Sequence, residues 1–347
     1  AYQRNMRLAF RVVVDSRDKR TEFTPQFVKD AGAKGFMNKG KWSPYSDDPV
    51  FQKYYTKFVK ALAKDFNDPS KVEFIDGFGL GKWGEYHTMI YSTGDDTPKK
   101  AVFDWVTDIY SQAFDKVPVV INYHRWIGAG KDWVDDEHFA ADSEEMLEEA
   151  IKKGYSLRHD AFGMTTYYGS WERRFAKKYR NICPIIMEGG WIVKSHSYWQ
   201  DPRGYRKDSH EDVRRGEFDD SKEAHVNMMD FRFGDTESWF KDAFDLVRRF
   251  LREGGYRLYP SEISLPLEVS KKTTPTIKHC WNNMGWGYCP TNIPQWNQKY
   301  KVAFALLDSE TNEVRYTFVD TNTDLSKWIK GSPAEYVFEP DMFKVET

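Results

Sequence analysis

The chain has little cysteine: three residues in 347, Cys183, Cys280 and Cys289. That is too few for a disulfide framework, and none lies in a C-x-x-C pair or in a Cys/His spacing suited to zinc. Cys280 and Cys289 flank the turn HCWNNMGWGYC, where pairing across a hairpin and two free thiols are both open. No apolar run approaches the length of a membrane span, and AYQRNMRLAF at the N-terminus lacks the pattern of a signal peptide. An excess of one charge is absent too. The 51 Lys and Arg against 53 Asp and Glu leave a net charge of −2, which gives no electrostatic reason to expect nucleic acid or an anionic membrane as partner. No Gly-rich phosphate loop of Rossmann or Walker type opens the first helix, which argues against a nucleotide-binding sheet. No HExxH helix and no H-x-H on the first strand is present, so no metal and no cofactor is expected.

Aromatic residues are plentiful: 13 Trp, 20 Tyr and 24 Phe, 16% of the chain. Aromatic faces fill cores, and they also stack on the apolar faces of sugar rings. Several of the Trp fall in Gly-rich and polar segments, which adds weight to a ligand-facing role.

Up to about residue 255, apolar strand-like runs alternate with amphipathic helices. RLAFRVVV (7–14), VEFIDGFG (72–79), VPVVINYH (117–124), SLRHDAFGM, PIIMEGGW and VNMMDFRFG read as strands. Helices are expected from Pro49 through the stripe Phe51, Tyr54, Tyr55, Phe58, Val59 and Leu62, over 98–116, up to Gly154, around 171–180, and up to Gly254. Parallel strands need crossover helices, and near-continuous apolar strands imply burial on both faces. The expected fold is therefore α/β: a (β/α)8 barrel over 1–255, with about six βα units visible and N-terminal strands absent from the chain as one explanation. From about 256 short β-like runs separated by Gly, Pro, Asn and Asp turns predict a small antiparallel β-sandwich over 256–347, an accessory domain. The barrel strands finish in Glu85, His124, Asp160, Glu188 and Asp230, and chemistry gathered from many strand ends is the barrel pattern.

Two segments carry the chemistry. In FIDGFGLGKWGEYHT (74–88) four glycines let the backbone approach a neighbour closely around Trp83, Glu85, Tyr86 and His87. In CPIIMEGGW (183–191) a Glu ends an apolar run, where a carboxylate must be paired or poised for chemistry; an ion pair with Arg158 or Arg232 is the plain alternative. Two facing carboxyls are what glycoside cleavage needs, one to protonate the leaving oxygen and one to attack the anomeric carbon or activate water.

Gly-Glu after one strand and Glu after a strand about three units later resembles the retaining barrel glycosidases of clan A. PYSDDPVFQKYYTKFVKALAKDF, IDGFGLGKWGEYH, RHDAFG, PIIMEGGW and the WNNMG turn resemble more closely a bacterial family of glycosidase-like proteins, a barrel with a C-terminal β-sandwich, distantly similar to the β-galactosidases of family 42. The resemblance implies a hydrolase of poly- or oligosaccharides in a secreted, periplasmic or cell-surface setting, with Glu188 as nucleophile and Glu85 as acid/base. It departs from the clan pattern in having Gly84 where Asn precedes the acid/base; Asn122 and His124 are candidate replacements for that sugar contact. Further candidates for substrate binding are Trp83, His87, Trp126, Asp160, Tyr167, Trp191, Asp230 and Arg232. The insertion after Glu188 holds Lys194, His196, Arg203, Arg206, Arg214 and Arg215, which suits an anionic glycan or, more plainly, a solvated loop. A metal-dependent hydrolase using Glu85, His87, His124, His159 and Asp230, and a non-catalytic carbohydrate-binding protein, are the competing readings.

Overall fold

The computed structural model describes residues 2–17, 21–131, 137–160, 162–163, 167–190, 210–231, 236–270, 272–296 and 300–345. In chain order the elements of the larger part are β1 (Leu8–Arg11), α1 (Gln26–Asp30), β2 (Gly35–Asn38), β3 (Lys41–Pro44), α2 (Pro49–Phe66), β4 (Val72–Asp76), α3 (Lys99–Ala113), β5 (Val119–Asn122), α4 (Glu137–Lys152), β6 (Ser156–His159), α5 (Ser170–Tyr179), β7 (Ile185–Met187), α6 (His210–Glu223), β8 (Met228–Met229) and α7 (Phe244–Glu253). The helices form where caps and stripes agree. Asp48, for example, caps α2 by accepting from the Phe51 N–H at 2.8 Å, and Phe51, Tyr55 and Val59 face the core.

The main sheet is all parallel with strand order β1-β4-β5-β6-β7-β8. This corrects the expected eight-stranded barrel: among the described residues six strands pair in one sheet, and β1 and β8 are its two edges rather than neighbours. The sheet nevertheless curls strongly. Strands sit ~4.8 Å apart, so β1 and β7, with three strands between them, would lie roughly 19 Å apart in a flat sheet. Instead Arg11 on β1 reaches Glu188 after β7 at 2.7 Å. The result is an open half-barrel whose concave face holds the polar groups described below.

The hairpin of β2 and β3 gave no signal in the alternation and sits outside the main sheet, with Trp42 buried. The polar insertion after Glu188, expected as a loop, is helical over His210–Glu223, as α6. The last expected helix begins with a π-turn, Ser238–Asp242, before α7.

The C-terminal part forms two antiparallel sheets. β9 (Leu258–Ser264), β10 (Ile277–Asn283) and β13 (Ala334–Phe338) give the order β13-β10-β9, while β11 (Val302–Leu307) pairs with β12 (Val314–Asp320). Phe304 of β11 packs on His279 and Phe338 of the other sheet at 5.1 and 5.5 Å between ring centroids. Cys289, Val302, Leu325 and Trp328 form a small core of this part's own, but the two parts also share one. Trp286, Ile293 and Trp296 join the main core, the Trp286 indole donates to the Val226 carbonyl at 2.8 Å, and the Trp296 indole to Ser156 Oγ at 3.0 Å. Ser156 and Val226 lie at the N-terminal ends of their strands, so the accessory part buttresses the end of the sheet opposite the polar mouth. Cys183, Cys280 and Cys289 are all free thiols, and burial pushes that of Cys289 up to about 12.

Candidate functional site

Strand side chains alternate between faces, so residues two apart share one. On the concave face this produces an apolar row (Ala9, Phe74, Ile186, Met228) and, two residues further along each strand, a polar row (Arg11, Asp76, Glu188, Asp230). Both rows, with Arg158 of β6, line one cavity of about 470 Å³. The polar row is at the C-terminal ends of the strands, where parallel-sheet enzymes place their chemistry.

Its centre is a five-residue ion network. Arg11 donates from Nε to Asp76 Oδ2 at 2.8 Å, from Nη1 to Glu85 Oε1 at 2.7 Å and from Nη2 to Glu188 Oε2 at 2.7 Å. Arg158 makes the matching set: Nε to the same Asp76 oxygen at 2.8 Å, Nη2 to the same Glu85 oxygen at 2.7 Å, and Nη1 to Glu188 Oε2. Planar guanidinium forks suit this use, because each presents several donors in fixed geometry. Three carboxylates against two guanidiniums leave the network with one negative charge in excess.

The two expected catalytic carboxyls are therefore brought together, but are unequally exposed. Glu188 keeps 22% of its side chain exposed and lines the cavity; Glu85 is only 4% exposed and does not. Burial alone would raise the Glu85 pKa, but Arg11 and Arg158, with help from His87, hold it down to about 2. A carboxyl so firmly ionised is not what a proton donor needs. The ion pair of Glu188 with Arg158, the plain alternative raised by the sequence, is formed. Arg232 and Trp191 lie outside the described residues.

Glu85 is carried by a strained loop. Gly79, Gly81, Trp83, Gly84, Tyr86 and Thr88 all have positive φ, and three of them are not glycine. The strain is held by local bonds: Lys82 and His87 pair across the loop, and the Tyr86 hydroxyl donates to the Lys99 carbonyl at 2.8 Å. Gly84 has a physical reason here. With φ at +77°, a Cβ on it would stand 2.8 Å from the Val12 carbonyl oxygen. Gly84→Ala is expected to cost about 1–3 kcal/mol in urea denaturation. Gly94→Ala, at a similar φ but in open space, should cost less; equal costs would contradict the close approach.

Most other candidates form a buried layer behind Glu85. His87 and His124 stack at 3.9 Å between ring centroids, His124 Nε2 lies 3.0 Å from the Glu85 carbonyl oxygen, and its Nδ1 accepts from the Trp126 N–H at 3.2 Å. Taken together, these fix a neutral His124 protonated at Nε2. Tyr167 joins His87 at 2.5 Å and accepts from Asn122 Nδ2 at 3.2 Å. Asn122, His87, His124, Tyr167 and Trp126 are all buried; Trp126 stacks on Tyr167 with the Arg125 guanidinium over its ring, so it serves as packing. Trp83 is 36% exposed, with Lys82 over its ring, and Asp230 is exposed at the edge of the cavity. Tyr168 is buried against Tyr123.

Arg214 is a reinterpretation of a different kind. Read from sequence as part of a basic loop, it is fully buried, paired with Glu217, and donates to Ser238 Oγ at 2.8 Å. Glu217 in turn accepts from the Gly190 N–H at 2.8 Å, so this pair anchors the segment after Glu188. Lys194, His196, Arg203 and Arg206 lie outside the described residues. Arg11 and Asp76, central to the network, were missed by sequence reasoning. Their signal was a charged residue two places after an inward apolar one, at the end of a strand. Among the described residues no cluster of His, Cys, Asp and Glu is arranged to hold a metal ion, and no helix is long and apolar enough to cross a membrane.

No family model, curated protein or solved structure matches the chain.

Proposed function

We propose that the chain is a glycoside hydrolase acting on a poly- or oligosaccharide by double displacement, with Glu188 as nucleophile. The observation that carries this reading is the Arg11–Arg158 clamp. It brings the carboxylates of Glu85 and Glu188 together at the C-terminal mouth of the sheet and leaves Glu188 lining a cavity of about 470 Å³. That volume suits one or two sugar rings more than an extended chain, and the exposed Asp230 offers a hydroxyl acceptor at its edge.

The test is a panel of neutral and anionic poly- and oligosaccharides assayed for new reducing ends, with Glu188→Gln as the blank. Release by the wild-type protein and none by the variant is expected. Equal traces from both, or binding without cleavage across the panel, would leave a carbohydrate-binding protein as the better reading.

A further inference from the structure

Resting on the glycosidase reading, we propose that Asp160 is the catalytic residue that protonates the leaving glycosidic oxygen, and that Glu85 is a positioning residue holding Arg11 and Arg158 around Glu188. The register of β6 and β7 carries the argument. Arg158 pairs with Ile186 and His159 with Met187, and the Glu188 N–H donates to the His159 carbonyl at 2.9 Å. One residue further, Asp160 stands level with Glu188. Arg158, Ile186 and Glu188 line the cavity; Asp160 follows the end of β6 just beyond that lining and keeps part of its side chain exposed. Neighbouring strands lie ~4.8 Å apart, close to the ~5–5.5 Å that separates the carboxyls of a retaining pair.

Asp160 also differs from Glu85 in its contacts. Its side chain keeps 23% exposure and forms no ion pair with Arg11 or Arg158; His159 Nδ1 lies 3.9 Å from its Oδ1. That Oδ1 is buried and has no hydrogen-bond donor among the described residues. The groups around it work in opposite directions. Burial and the charges of Glu85 and Glu188 push its carboxyl up, Arg158 and His87 pull it down, and the balance leaves it at about 7. His159 stays neutral beside it, since burial, His124, Arg158 and His87 all lower its pKa. A carboxyl raised in this way beside the nucleophile is what a proton donor needs.

The steps balance. A Glu188 carboxylate oxygen bonds to the anomeric carbon while the glycosidic C–O bond breaks; its electron pair stays on the leaving oxygen, which takes the Asp160 proton and departs as an alcohol. Asp160, now a carboxylate, then removes a proton from water. The water oxygen bonds to the anomeric carbon, and the bond to Glu188 breaks to restore its carboxylate.

The experiment compares wild type, Asp160→Asn and Glu85→Gln in two ways. The first needs no substrate: carboxyl titration by ¹³C NMR of Asp-labelled protein should show one group near pH 7 that vanishes in Asp160→Asn. An Asp160 signal titrating near the ordinary ~3.9 would overturn the proposal by itself. The second uses aryl glycosides of the sugar that the panel identifies. Asp160→Asn should lose about 10²–10⁴-fold on poor leaving groups, keep most activity on activated ones, lose the basic limb of kcat/KM, and regain turnover with azide. Glu85→Gln should lower both substrates by one factor and keep the limb. If Glu85→Gln shows the leaving-group-dependent loss instead, the roles are reversed. If the wild-type protein cleaves nothing, the glycosidase reading fails while the titration still decides the state of Asp160.

Discussion

Replacing Arg158 with methionine is expected to cost about 3–5 kcal/mol, the largest stability loss of any single change in the site. Arg158 is almost wholly buried and donates to Asp76, Glu85 and Glu188. Without it, three carboxylates share Arg11 alone in a poorly hydrated cleft. Lysine restores the charge but not the fork, so Arg158→Lys should recover only part of the loss. The deficit should depend on pH with a definite sign. Glu85 has a depressed folded pKa, so its pairing stabilises the wild-type protein above the unfolded carboxyl value near ~4.3 and is lost as pH falls toward about 2. The variant keeps only the part that Arg11 supplies. Its shortfall in urea denaturation should be greatest at neutral pH and shrink below about pH 4. A shortfall constant from pH 3 to 8 would show that Arg158 acts through packing instead.

Glu188→Gln should abolish turnover, by at least about 10⁴-fold, while leaving the protein folded. The amide has nearly the shape of the carboxylate, and removing one negative charge leaves two carboxylates facing two guanidiniums. The loss should fall on kcat more than on KM, because the ionised oxygen is needed in the transition state rather than for binding. The same change should also lower the Asp160 pKa, since Glu188 is one of the charges that raise it. Stability within about 1 kcal/mol of wild type, with activity gone, is the expected pair of results. Activity retained within tenfold would remove Glu188 from the chemistry.

Much of this architecture was legible before the structure. Every main-sheet strand was marked by an apolar run, and the crossover helices by caps such as Asp48–Pro49 and by stripes such as Phe51, Tyr55 and Val59. Closure was not legible, because it depends on tilt and stagger between edge strands, and β1 and β8 carry no residue pattern that declares them edges. At the site, Glu85 and Glu188 stood out as acids at strand or loop ends, and the structure joins them. The ion network that joins them could not be read from spacing. It arises from Arg11, 74 residues from Glu85 and 177 from Glu188 along the chain, which only the curl of the sheet brings near. His87, His124 and Trp126 looked like ligand-facing groups because pocket walls and buried polar packing use the same residue types; only their burial tells the two apart.

The most direct measurement is covalent trapping. The protein would be incubated with a set of 2-deoxy-2-fluoroglycosyl fluorides, which slow the second displacement, and then digested and mapped by mass spectrometry. The account predicts one fluoroglycosyl adduct on the peptide that contains Glu188, formed by wild type and by Glu85→Gln, and absent from Glu188→Gln. An adduct on Glu85, or turnover of a glycan with no adduct from any member of the set, would contradict it.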